Sequence, residues 1–236
     1  MGPLWPKKEG NLNMKNSLMI KKLVGIAILT ALVVVFQLLS NYIKIGTVSI
    51  TLALFPIAMG AILYGPLAGL LLGMVMGAMV LVAPDTQTYF FSVNPVATIA
   101  LCLIKSGVAG LVSGFVYKGI AYFAGIQPEI KKERTLTIVA IVVATIIIPI
   151  INTFIFVCGA CLFFTSVYPN GFMATLMAVF GTNFVIELAI NVVLSPVAIT
   201  ILKIITRNYN LGFDNDFEAL NAGEDDIDIK ELHTEA

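Results

Sequence analysis

Two ionisable side chains, Lys105 and Glu187, lie inside long apolar runs. A charge at the centre of a membrane helix costs roughly 2.5–3.5 kcal/mol, so each demands a partner or a role. Amides accompany them at Asn152, Asn183 and Asn191, and Asn183, Glu187 and Asn191 share one helical face at i, i+4 and i+8. Counting ~1.5 Å per residue from Pro95 and Ala174 places Lys105 about 15 Å and Glu187 about 20 Å below the outer surface. Asn152 and Asn183 fall at comparable depths by the same count. Two readings stand side by side. Either Lys105 and Glu187 neutralise each other while the amides join helices, or these groups form the floor of a polar ligand pocket. Both can hold, since a buried ion pair also orients a ligand.

Local chemistry adds three features. Asn94-Pro95 opens a helix with an amide oxygen able to cap free N–H groups and a proline at the first helical position. Those N–H groups, facing a cavity, would favour an anionic ligand; taken alone, an ordinary cap is the stronger reading. Pro149 removes the hydrogen bond to the carbonyl of Thr145 and predicts a kink just before Asn152. The segment Pro84 to Val93 mixes hydrogen-bonding groups with Tyr89, Phe90 and Phe91, and reads as a lid or as an interfacial aromatic anchor. A second such segment, Thr165 to Phe172, carries a turn signal beside Tyr168.

The elements that must position these groups follow from composition. Of 236 residues, 58% are apolar and 12% charged, against about 25% charged in soluble domains, which marks an integral membrane protein. Six runs are candidate spans: Leu18 to Leu39, Val48 to Tyr64, Pro66 to Ala83, Pro95 to Phe123, Leu136 to Phe164 and Ala174 to Ile205. The expected fold is therefore all-α and polytopic, with six transmembrane helices. Gly65-Pro66 joins the second and third as a tight hairpin. Basic residues cluster before the first run (Lys7, Lys8, Lys15, Lys21, Lys22), between the fourth and fifth (Lys118, Lys131, Lys132, Arg134) and after the sixth (Lys203, Arg207), while the opposite loops carry only Lys44. Both termini are accordingly expected in the cytoplasm.

Three regions result: an N-terminal cytoplasmic extension (1–16), the membrane domain (17–205) and a tail (206–236) that after Arg207 carries nine acids against Lys230, read as mobile. The first apolar run is too long for a secretory signal and lacks a small-residue cleavage pattern. Gly69, Gly73 and Gly77, and again Gly110 and Gly114, recur every four residues and mark close helix contacts. Ala27-x-x-x-Ala31 is a similar small face on the first helix.

Other chemistries are excluded by what is missing. The sole histidine, His233, lies in the tail, so no histidine-based metal or haem site is expected. Cys102, Cys158 and Cys161 sit in apolar stretches and read as packing residues, not a disulfide framework. There is no GxxxxGK[ST] to cradle ATP and no arginine in the spans to sense voltage. The 14 basic residues balance the 14 acidic ones, which predicts no nucleic-acid partner. No nucleophile with a base or metal set appears, so an enzyme is not expected. A chain that binds but cannot power transport needs a partner.

The six-helix plan with short loops, Ala27-x-x-x-Ala31, and the runs TLALFPIAMGAILYGPLAG (51–69), NPVATIALCLIKSGVAGLVSG (94–114) and NFVIELAINVVLSP (183–196) resemble the substrate-binding S-components of energy-coupling factor transporters. The likeness covers roughly Lys21 to Ile205, and the three longer runs point to a subgroup associated with pantothenate. It implies capture of a water-soluble vitamin from outside, and delivery through a transmembrane coupling subunit and two cytoplasmic ATPases that use ATP, by toppling of the whole S-component. It places the protein in the bacterial plasma membrane, with no cofactor in this chain. Ala27 and Ala31 would be the docking face. Helices 4 to 6 and the external loops would form the vitamin pocket, with Tyr89, Asn94, Lys105, Asn152, Asn183 and Glu187 chosen by depth to line it.

Ligand chemistry gives an independent hint. The sole tryptophan, Trp5, precedes the first span, which disfavours the flat rings of thiamine, riboflavin and folate. Lys105 and the helix 4 amides suit a carboxylate, and amide side chains suit hydroxyl and amide groups; pantothenate has all three. The alternatives are an S-component for one of those other vitamins, a self-contained transporter using Glu187 as a proton site, and a non-transporting membrane anchor.

Overall fold

The computed structural model describes residues 8–42, 44–45, 48–49, 51–123, 133–166, 174 and 184–208. Its elements are α1 (Lys8–Ser40), β1 (Lys44–Ile45), β2 (Val48–Ser49), α2 (Leu54–Tyr64), α3 (Pro66–Val82), a π-helical turn (Thr86–Phe91), α4 (Pro95–Phe123), α5 (Glu133–Phe163) and α6 (Val185–Asn208). The architecture is all-helical apart from a minimal antiparallel ladder in which Lys44 pairs with Ser49 and Ile45 with Val48. The chain divides into two compact units, Met1–Ile199 and Thr200–Ala236. The core and the candidate site belong to the first; of the second, the end of α6 is described.

The second apolar run does not form the span its length suggests. Val48–Ser49 goes into β2, and α2 begins only at Leu54. Eleven residues at ~1.5 Å each reach about 16 Å, roughly half a hydrocarbon core. This helix need not face lipid, because Leu54 to Leu63 are buried on every side. Leu54, Ile57 and Ala58 form one cluster with Val33 of α1, Leu72 and Met76 of α3, Ala109 of α4 and Ile148 of α5. A helix apolar all round belongs in such a centre.

Among the described residues, three helices are long and apolar enough to cross a membrane, Met19–Ser40, Pro95–Phe123 and Ile138–Phe163; Leu54–Tyr64, Pro66–Val82 and Val185–Ile201 are shorter. The sixth expected span starts at Ala174, and 175–183, including Asn183, lie outside the described residues. So do residues 1–7, most of the loop at 165–172, the connection at 124–132 with Lys131 and Lys132, and the acidic tail from 209 onward.

The turn between α2 and α3 is one residue long. Gly65 takes φ 94°, a left-handed value that a side chain disfavours, and Pro66 starts α3 where its missing N–H is harmless. From there α3 and α4 run backbone against backbone. A Cβ on Gly69 would strike the carbonyl of Gly110, one on Gly73 that of Ser106, and one on Gly77 that of Cys102. The glycine stripes are thus two sides of one seam. Across the other face of α4, the buried Ser113 Oγ donates to the Ala144 carbonyl of α5 at 2.8 Å. α5 continues through Pro149 as one helix.

Candidate functional site

The site grows from the connection between α3 and α4. After Ala83 the chain makes a π-helical turn instead of an open loop, held by its own side chains. Gln87 Nε2 donates to the Leu81 carbonyl at 2.6 Å, Thr88 Oγ1 to Pro84 at 2.9 Å, and Ser92 Oγ to Gln87 and Thr88 at 3.1 Å. Asn94 then caps α4 as its sequence position implies: its Oδ1 accepts from the Ala97 N–H at 3.1 Å. Thr98 Oγ1 donates back to the Asn94 carbonyl at 2.8 Å.

This turn sends Thr86 and Phe90, four residues apart, to the same side, over a cavity between α3, α4 and α5. Tyr89 points the other way and is 58% exposed. α4 supplies Thr98, Cys102 and Lys105, which share one helical face. Aromatic rings supply the walls. Phe90 meets Phe156 edge-on at 5.7 Å and Phe164 at 5.1 Å between centroids, and the Lys105 ammonium lies 4.9 Å from the centroid of the Phe156 ring. The cavity has about 30 Å³, room for about two waters. Any ligand larger than that enters only if the lining side chains move.

A second polar group joins α1 and α6 to the segment after β2. Glu187 is 4% exposed, and its Oε1 accepts from the Thr51 N–H at 3.2 Å. The next N–H, of Leu52, donates to Ser40 Oγ at 3.0 Å, and Ser40 Oγ donates in turn to the Phe36 carbonyl at 2.7 Å. Asn191 Nδ2 donates to the Glu187 carbonyl at 2.8 Å. Among the described residues, the buried oxygens of Gln37, Ser106, Asn152 and Asn191 have no hydrogen-bond partner. Such acceptors in a protein interior are suited to donors of a water or a ligand.

The residues chosen for depth therefore divide. Lys105 lines the cavity, whereas Asn94, the helix cap, and Tyr89 are not among its lining residues. Asn152 is buried in α5 and Glu187 is bonded to Thr51. Lys105 and Glu187 feel each other's charge, yet each takes a different partner. Sequence reasoning missed Phe156, Phe164, Thr86 and Thr98. Only Thr98 carried a legible signal, through its spacing of seven from Lys105 on the same helix face.

On α1, Ala27 and Ala31 are exposed among exposed Leu23, Val24, Ile28 and Val35. The opposite side of that helix is the packed one, for a Cβ on Gly25 would run into the Tyr64 ring.

A family model described as "ECF transporter, substrate-specific component" matches residues 21–199, a stretch that holds the cavity, Glu187 and the exposed α1 face. Comparisons with curated proteins and with solved structures found no match. The chain belongs to the family of substrate-specific components of ECF transporters, which are membrane transport proteins and not enzymes.

Proposed function

We propose that this chain captures a water-soluble vitamin, pantothenate above all, from outside a bacterial cell and passes it to an ATP-driven importer. Lys105 carries the assignment. It is a cation held beside hydroxyls and rings in a cavity roofed by the turn Thr86–Phe91, on the side of the membrane where the loops lack a basic cluster. A carboxylate is the natural complement of that ammonium, and Thr86 and Thr98 suit the hydroxyl and amide groups of the same ligand. Both termini face the cytoplasm in this arrangement, and six helical segments make up the membrane domain. A transmembrane coupling subunit docks on Ala27 and Ala31, and two cytoplasmic ATPases supply the energy; this chain contributes no cofactor.

Calorimetry on the purified chain tests the assignment. Pantothenate binds tightly without ATP. The absence of heat with any of a panel of water-soluble vitamins would refute it.

A further inference from the structure

We propose that Phe156 is a positioning residue that holds the Lys105 ammonium in the cavity for a carboxylate, and thereby makes the site prefer an anionic ligand to its neutral analogue. The inference rests on the substrate-binding role proposed above. A lysine ammonium is a compact charge on a flexible four-carbon stem, and in surroundings of low dielectric it moves toward the strongest partner within reach. Glu187 is the acid of opposite sign that Lys105 acts on electrostatically, and it is buried. An ion pair between them would neutralise the cation before any ligand arrived.

The side chains are arranged against that pairing. Lys105 Nζ is 4.9 Å from the centroid of the Phe156 ring, while the Glu187 carboxylate is engaged by the Thr51 N–H. A ring face attracts a cation without cancelling its charge and occupies no directed acceptor position, so the ammonium keeps its donors for an incoming carboxylate. The ring is itself held. Phe90 packs edge-on against it, at 69° between planes, and against the fully buried Phe164 at 80°. A cation fixed in advance loses less freedom when an anion binds, whereas a neutral ligand of the same shape gains little from it.

The test uses the full-length purified chain with two probes, pantothenate and its neutral alcohol pantothenol. Phe156→Leu lowers affinity for the anion about tenfold more than for the neutral probe, the scale of one desolvated cation–π contact, because both probes lose the same wall contact and only the anion loses the held cation. Phe156→Met, which fills the space without a ring, does the same, and Phe156→Tyr retains the wild-type preference. A ligand-free readout accompanies these. After reductive ¹³C-dimethylation, which keeps the charge, the Lys105 methyl resonance is displaced upfield by the ring and is identified by its loss in Lys105→Arg; Phe156→Leu or Phe156→Met returns it to the position of a solvated lysine. Equal losses for both probes, no loss for either, or an undisplaced wild-type resonance overturns the positioning role. A wild-type chain that binds neither probe but shows the displaced resonance overturns the vitamin assignment and, with it, the selectivity.

Discussion

Thr51 and Glu187 are 136 residues apart in sequence and meet in the fold: the Thr51 N–H donates to Glu187 Oε1 at 3.2 Å. The acid seated in α6 thus holds the chain that leads from β2 into α2, and Ser40 of α1 holds the next N–H along. Glu187→Leu leaves a part-buried backbone donor without its acceptor, an omission worth about 1 kcal/mol, the low end of the range for buried groups. Unfolding of the detergent-solubilised protein by heat or chaotrope should register that loss. Glu187→Gln keeps an acceptor oxygen and should retain more of the stability; a Gln variant as weak as the Leu variant would show that the charge, not the hydrogen bond, matters.

Lys105 is the cavity's cation, so its removal separates a binding role from a structural one. Lys105→Ala should weaken an acidic ligand by about tenfold or more, the scale of a charge-assisted hydrogen bond, while the protein stays folded. Unchanged affinity in calorimetry would make Lys105 structural.

Gly73 and Gly119 form a matched pair for testing the seam between α3 and α4. A Cβ at Gly73 would lie 2.6 Å from the Ser106 carbonyl carbon and 2.9 Å from the Gly107 Cα, whereas one at Gly119 meets nothing within 4 Å. Neither helix backbone can yield without separating. Gly73→Ala should therefore destabilise by about 1–3 kcal/mol, as overpacking does, and Gly119→Ala should be neutral or slightly stabilising through helix propensity. Equal thermal stabilities would mean that the two helices do not run this close.

The glycine stripes, the Gly65 turn and the Asn94 cap are legible in the sequence, because each depends on residues near one another in the chain and on rules that operate within a few turns; that the two stripes face each other is not. The cavity was not. Phe156 and Phe164 reach Phe90 and Lys105 only because α5 lies against α4 in one particular register, and no periodicity along α5 distinguishes those phenylalanines from Phe154, which is exposed. Depth along the chain does not separate Tyr89 from Phe90, and the π-helical turn decides which of the two faces inward. Depth counting placed Glu187 and Lys105 near one level without revealing that a backbone N–H from the segment after β2 would take the carboxylate. Local patterns named the polar residues, and tertiary packing chose their partners.

Ala27 and Ala31 make a last contrast, with Gly25 two residues away on the same helix. Both alanines are exposed, so bulk placed there meets no part of this chain, whereas bulk at Gly25 collides with Tyr64. Small residues let two helices approach closely, and a large side chain on that face holds them apart. Ala27→Trp should therefore leave pantothenate affinity and thermal stability at wild-type values while abolishing co-purification with the coupling subunit and uptake into cells. Gly25→Trp should lower the stability of the isolated chain. Continued co-purification of the Ala27→Trp protein with the coupling subunit would remove this face from the interface and direct the search to the other exposed apolar surfaces.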